Sequence, residues 1–105
     1  MIETPPKWYD SLKQQYAELM EAVETLGAAT RNQGPLDEKT THLIQLAAAA
    51  AIHSEGAVHS HTKRALKAGA TPGEINHAII LLTSTIGFPS VSAALSWVDD
   101  ITKKK

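Results

Sequence analysis

Ala65-Leu66-Lys67-Ala68-Gly69-Ala70-Thr71-Pro72-Gly73-Glu74-Ile75 holds a helix end, a turn and a helix start in eleven residues. Gly69 falls where the residue after a helix C-cap turns left-handed, a backbone that glycine adopts without steric cost. Thr71, Pro72 and Glu74 then make a capping box: threonine as N-cap, proline at the first helical position, and glutamate three residues after the cap. One helix therefore runs into this stretch, about Glu55 to Ala68, and another runs out of it, about Pro72 to Ile86. The second carries Ile75, Ala78, Ile79, Leu82 and Ile86 as one stripe.

Further out the same punctuation recurs. Gly87-Phe88-Pro89 closes that helix, and a last one runs from about Pro89 to Ile101 with Val91, Leu95 and Val98 inward. On the N-terminal side, Ser54 can cap the helix that begins at Glu55, and Asp37 can cap another running from about Glu38 to His53. Thr30-Arg31-Asn32-Gln33-Gly34-Pro35 reads as a loop. Before it, Leu12, Tyr16, Leu19, Met20, Val23 and Leu26 recur at spacings of three and four, which predicts an amphipathic helix from about Lys7 to Ala28, after the Pro5-Pro6 break. The expectation is an all-α chain of about five helices forming a single domain over residues 1–105.

Composition agrees. Sixteen of 105 residues are alanine, the best helix former, and β-branched residues are not gathered into alternating runs. A net charge of -1, with the basic tail limited to Lys103-Lys104-Lys105, supplies no attraction for nucleic acid or an anionic membrane. The start, Met1 to Trp8, has no basic segment leading into an apolar one, and Leu43 to Ile52 is far shorter than the roughly 20 residues a membrane helix needs. A cytoplasmic setting is therefore expected. With no cysteine there is no thiolate nucleophile, disulfide or iron–sulfur cluster, and five histidines remain as the soft ligands.

At 100° per residue, Leu43, Ile44, Ala47, Ala48, Ala50, Ala51 and Ile52 spread over most of their helix, which predicts cover on most sides. The narrow sector left over carries His42, Leu46, Ala49 and His53, with Gln45 at its margin. On the next helix Ala57, Val58, Ala65 and Ala68 define an inner arc that includes His61, while His59 and Arg64 sit at opposite edges. His42 and His53 are eleven residues apart, about 16 Å along a helix, so they cannot chelate one ion together. No carboxylate is read at chelating spacing, and neither a resident metal nor an organic cofactor is expected.

The segment from His53 to Ile75, above all His61-Thr62-Lys63-Arg64-Ala65-Leu66-Lys67-Ala68-Gly69-Ala70-Thr71-Pro72, resembles the signature region of the carboxymuconolactone decarboxylase family, which includes the alkylhydroperoxidase D-like proteins. Leu36-Asp37-Glu38-Lys39-Thr40 and Gly87-Phe88-Pro89 resemble further parts of its frame, so residues 36–100 are covered. The resemblance implies an alkylhydroperoxidase D-like helical subunit that assembles into homo-oligomers, commonly trimers or hexamers. Its redox members use a Cys-x-x-Cys, a histidine following closely after it, and a glutamate about three helical turns upstream. Placed on His61, the two cysteine positions are Ser54 and Ala57 and the glutamate position is His42. Peroxidase chemistry needs a thiolate and a resolving thiol, which serine and alanine do not supply.

The family's decarboxylase members lack the cysteine pair. Their chemistry asks for a cationic anchor for a carboxylate and a group that moves a proton near neutral pH, as histidine does. The resemblance thus points to His61 as proton carrier and His42 as the polarising or orienting partner, with His53, Ser54, Ala57, His59 and Arg64 lining the pocket and Arg31 or Arg64 as anchor. The substrate class it implies is a small carboxylate or lactone. The other reading is a non-catalytic ligand-binding or assembly module that kept the frame after losing the thiols. Ser54 has no triad-like context and reads as a cap, and His77 reads as a surface or interface residue.

Overall fold

The computed structural model describes residues 4–103, with side chains from residue 8 onward. Met1, Ile2 and Glu3, and Lys104 and Lys105 of the basic tail, lie outside the described residues. Among the described residues there are six helices and one four-residue helical turn, and no strand. The chain divides into two compact units, residues 1–36 and residues 37–105.

The first unit is α1 (Thr4–Gln15) and α2 (Ala17–Arg31), where one continuous helix was expected. Pro5 and Pro6 fall in the first turn of α1, where a missing N–H removes no helical hydrogen bond. Tyr16 leaves the helical region at φ -133° and ψ 59°. The break follows from what it allows: the Tyr9 hydroxyl donates to the Glu24 carboxylate, and Lys13 Nζ stands 3.4 Å from the same carboxylate. In one straight helix Tyr9 and Glu24 would be about 22 Å apart. Met20 is buried in this unit, while Leu19, Val23 and Leu26 form an exposed apolar stripe on α2.

The second unit contains α3 (Glu38–Ala51), α4 (Glu55–Lys67), α5 (Pro72–Ile80), the short α6 (Thr83–Ile86) and α7 (Phe88–Thr102). Its core takes Leu46, Ala49 and Ala50 from α3, Val58 and Ala65 from α4, Ile75 and Ile79 from α5, and Val91, Ala94 and Val98 from α7. Alanine at these contacts lets the helices approach closely. The starts follow the sequence signals. Asp37 Oδ1 accepts from the Thr40 N–H at 2.8 Å, and both halves of the capping box at Thr71 and Glu74 form at 3.0 Å.

Two ends of α-helices carry the same closing motif. After α4 the Gly69 N–H donates to Leu66 O and the Ala70 N–H to Ala65 O, with Gly69 at φ 102°. After α3 the His53 N–H donates to Ala50 O and the Ser54 N–H to Ala49 O, with His53 at φ 60°. Both are Schellman motifs, but the second places a non-glycine residue in the left-handed position.

Three expectations need correction. The helix opened by the capping box does not reach Ile86: it stops at Ile80, where the Thr83 hydroxyl takes the Ile80 carbonyl at 2.7 Å. Within a single chain the alanine-rich α3 is not covered all round, because Ile44, Ala48, Ala51 and Ile52 are exposed. Its buried face is instead the sector with His42, Leu46 and Ala49, since alanine adds little area to a stripe and so points to no face. On α4 the buried line is Val58, His59, Thr62 and Ala65, so His59 lies within the core face and not at its edge.

Candidate functional site

His42 and His61 meet where α3 packs on α4. Their ring centroids are 6.0 Å apart with the planes inclined at 38°, within the range of direct ring contact. His42 is buried and His61 half-buried, so the pair reaches from the core toward the surface. One turn before His42 on α3, Glu38 brings Oε2 to 4.0 Å from His42 Nε2 and is itself largely exposed. Glu38, His42 and His61 thus form a row of titratable groups with the buried His42 at its centre. Imidazole nitrogens can both give and take a proton near neutrality, which makes such a row suited to acid–base chemistry.

The structure places the other candidates differently. His53, exposed at the end of α3, pairs through Nε2 with Ser90 Oγ at 3.1 Å, and lies about 16 Å along α3 from His42. Ser54 is the N-cap of α4, and its Oγ accepts the Ala57 N–H at 3.3 Å. Ser54 and Ala57 are therefore joined by a capping hydrogen bond. His59 is directed onto α7, where its Nε2 lies 2.9 Å from Asp100 Oδ2. Arg64 is half-buried in the last turn of α4, one turn beyond His61. Arg31 ends α2 in the other unit, and His77 is exposed on α5.

Two carboxylates away from the pair hold the frame. Glu74 is lowered from the ordinary carboxylate range by the Thr71 backbone N–H and then by Lys39, whose Nζ is 3.2 Å from Glu74 Oε2 and so ties α3 to α5. Asp37 is lowered by Thr40, through its hydroxyl and then its backbone N–H.

Sequence reasoning passed over Glu38, Glu55 and Asp100. Glu38 and Glu55 each stand four residues before a histidine, His42 and His59, which is a chelating and proton-sharing spacing on a helix. The earlier reading that no carboxylate stands at such spacing is thereby corrected. Nothing local marked Asp100, which is brought in by the packing of α7 on α4.

A sequence model of the carboxymuconolactone decarboxylase family matches residues 17–100. A protein of Haemophilus influenzae described as uncharacterized is 37% identical over 59 residues, covering 56% of this chain and 52% of that protein. The chain therefore spans about half the length of this curated relative. No helix among the described residues is long and apolar enough to cross a membrane.

Proposed function

Because the chain belongs to the carboxymuconolactone decarboxylase family, we propose that it carries out cysteine-independent acid–base chemistry on a small carboxylate or lactone, with His61 moving the proton and His42 orienting it. The observation that carries this reading is the contact of the two imidazoles, 6.0 Å between centroids, across the α3–α4 interface. In a decarboxylation, the bond to the carboxylate breaks and carbon dioxide leaves. The electron pair stays on the conjugated lactone, and His61 delivers the proton that quenches it. His42, with Glu38 beside it, returns a proton to His61 from the solvent side.

Arg64 is the proposed anchor for the substrate carboxylate, since guanidinium binds carboxylates through two parallel hydrogen bonds. Gln45 Oε1, one turn after His42, is buried without a hydrogen-bond partner among the described residues. It supports the reading as a polar group available to a ligand. Steady-state assay of His61→Ala and His42→Ala on small lactones and carboxylates tests the proposal, and unchanged rates in both variants defeat it.

A second reading, a binding or assembly module without catalysis, is favoured by one observation. Ser54 and Ala57 are committed to capping α4, so the positions of the family's thiols are occupied by helix-start geometry. Absence of turnover across that panel would select it. In either case we take the chain to act in the cytoplasm as a homo-oligomer. The exposed stripe of Leu19, Val23 and Leu26 supports assembly, because contiguous exposed apolar surface is characteristic of interfaces. Sedimentation of a monomer at micromolar concentration would remove that part.

A further inference from the structure

Where α4 packs on α7, three ligand-type side chains that the proposed chemistry does not use converge. His59 Nε2 lies 2.9 Å from Asp100 Oδ2 and 4.0 Å from Glu55 Oε2, and one donor atom from each of the three residues falls within 4.8 Å of the others. We propose that Glu55, His59 and Asp100 bind a first-row divalent cation, zinc above all, at the junction of α4 and α7.

Three observations carry this. The first is charge. A single Nε2 proton needs one acceptor, and Asp100 supplies it, yet a second carboxylate stands beside the same nitrogen. With a neutral imidazole the cluster holds two negative charges at close range, and among the described residues no lysine or arginine forms an ion pair with either carboxylate. A dication in place of the shared proton neutralises the cluster.

The second is geometry. Zinc bonds to nitrogen and oxygen of about 2.0–2.2 Å at tetrahedral angles put donors roughly 3.4 Å apart. The observed separations of 2.9 and 4.0 Å from His59 Nε2 bracket that value, and the donor atoms of the two carboxylates lie within 4.8 Å of each other. Both carboxylates have the freedom to adjust, with side chains about half exposed.

The third is rigidity and access. The His59 side chain is 2% exposed and so is fixed by the core, while the carboxylates open to solvent and give the ion an entry path. Glu55 and His59 are one turn apart on α4, and Asp100 comes from α7, so the ion would join two helices. Nitrogen and oxygen donors suit zinc among the first-row metals, and three protein ligands leave a fourth position for water.

The test is calorimetric titration of tag-free protein with zinc chloride, followed by cobalt(II) substitution read as visible absorption. The expected result is one zinc per chain and a cobalt spectrum of tetrahedral type, the ring's single proton standing on Nδ1 once Nε2 holds the metal. Glu55→Gln and Asp100→Asn, both at exposed side chains, should weaken affinity at least tenfold while circular dichroism stays that of the wild type. His42→Gln should leave affinity unchanged. No saturable zinc binding, wild-type affinity in Glu55→Gln and Asp100→Asn, or loss of binding in His42→Gln would each overturn the proposal.

Discussion

The turn between α3 and α4 sets the register of the helix that carries His61, and it does so through a histidine in a left-handed backbone. His53, at φ 60°, accepts a conformation that costs a non-glycine residue about 1–2 kcal/mol. Its hydrogen bond to Ser90, exposed to solvent, returns roughly 0.5 kcal/mol. His53→Ala keeps the backbone cost and loses the bond, so it should be less stable than wild type by about 0.5 kcal/mol. His53→Gly removes the backbone cost but gains unfolded-state freedom worth about 0.5–1 kcal/mol. Glycine should therefore exceed alanine at this position by about 0.5–1 kcal/mol, or roughly 3–6 °C in Tm for a domain of this size. The end of α4 provides the control. A Cβ at Gly69 would meet nothing within 4 Å, so Gly69→Ala changes conformational preference alone and, with φ at 102°, should cost at least that amount. Urea denaturation with unchanged m-values measures both differences. Alanine as stable as glycine at either site, or opposite signs at the two sites, would refute the reasoning.

Asp37 and Glu74 are both held below the ordinary carboxylate range, so the unfolded chain binds protons at a higher pH than the folded one. Their stabilisation is present above the unfolded pKa values, about 4 for both carboxylates, and is lost as pH falls below these through the lower folded ones. The Asp37→Asn, Glu74→Gln double variant should lose less stability than wild type across that window, and equal losses would speak against these capping bonds. Thr71→Ala removes the oxygen that accepts the Glu74 N–H and should cost about 1 kcal/mol, read as a lower urea midpoint. Ile79→Ala, at a fully buried core position, should cost about 2–5 kcal/mol; a change below half a kcal/mol would mean that α5 is not packed as described.

The helix starts of the second unit were legible because each is written in a few adjacent residues: Asp37, Ser54, and Thr71 with Glu74. The left-handed end at Gly69 was legible for the same reason. The matching end at His53 was not, because histidine carries no such signal and the turn is held by backbone bonds from residues 53 and 54 to Ala50 and Ala49. The break at Tyr16 depends on Tyr9 and Lys13 meeting Glu24, fifteen and eleven residues away in the chain, which periodicity alone does not report. The faces of α3 were misjudged because five consecutive alanines weigh equally in every direction, whereas packing was decided by Leu46 and by what α4 presents to it. Of the site, His42 and His61 could be named from spacing against a family frame, but their contact across two helices is a tertiary fact. Asp100 lies 41 residues from His59 and became visible only through the packing of α7.

The central claim is that the two touching imidazoles act as one acid–base unit, and a double-mutant cycle on kcat/KM tests it most directly. Wild type, His42→Gln, His61→Gln and the double variant would be assayed on a panel of small lactone carboxylates, with folding checked by circular dichroism. The account predicts turnover of at least one substrate, a loss of about 10²–10⁴-fold in each single variant, and no further loss in the double, as for residues that work together. Turnover indifferent to both substitutions, losses that multiply in the double variant, or no turnover by the wild type would contradict it.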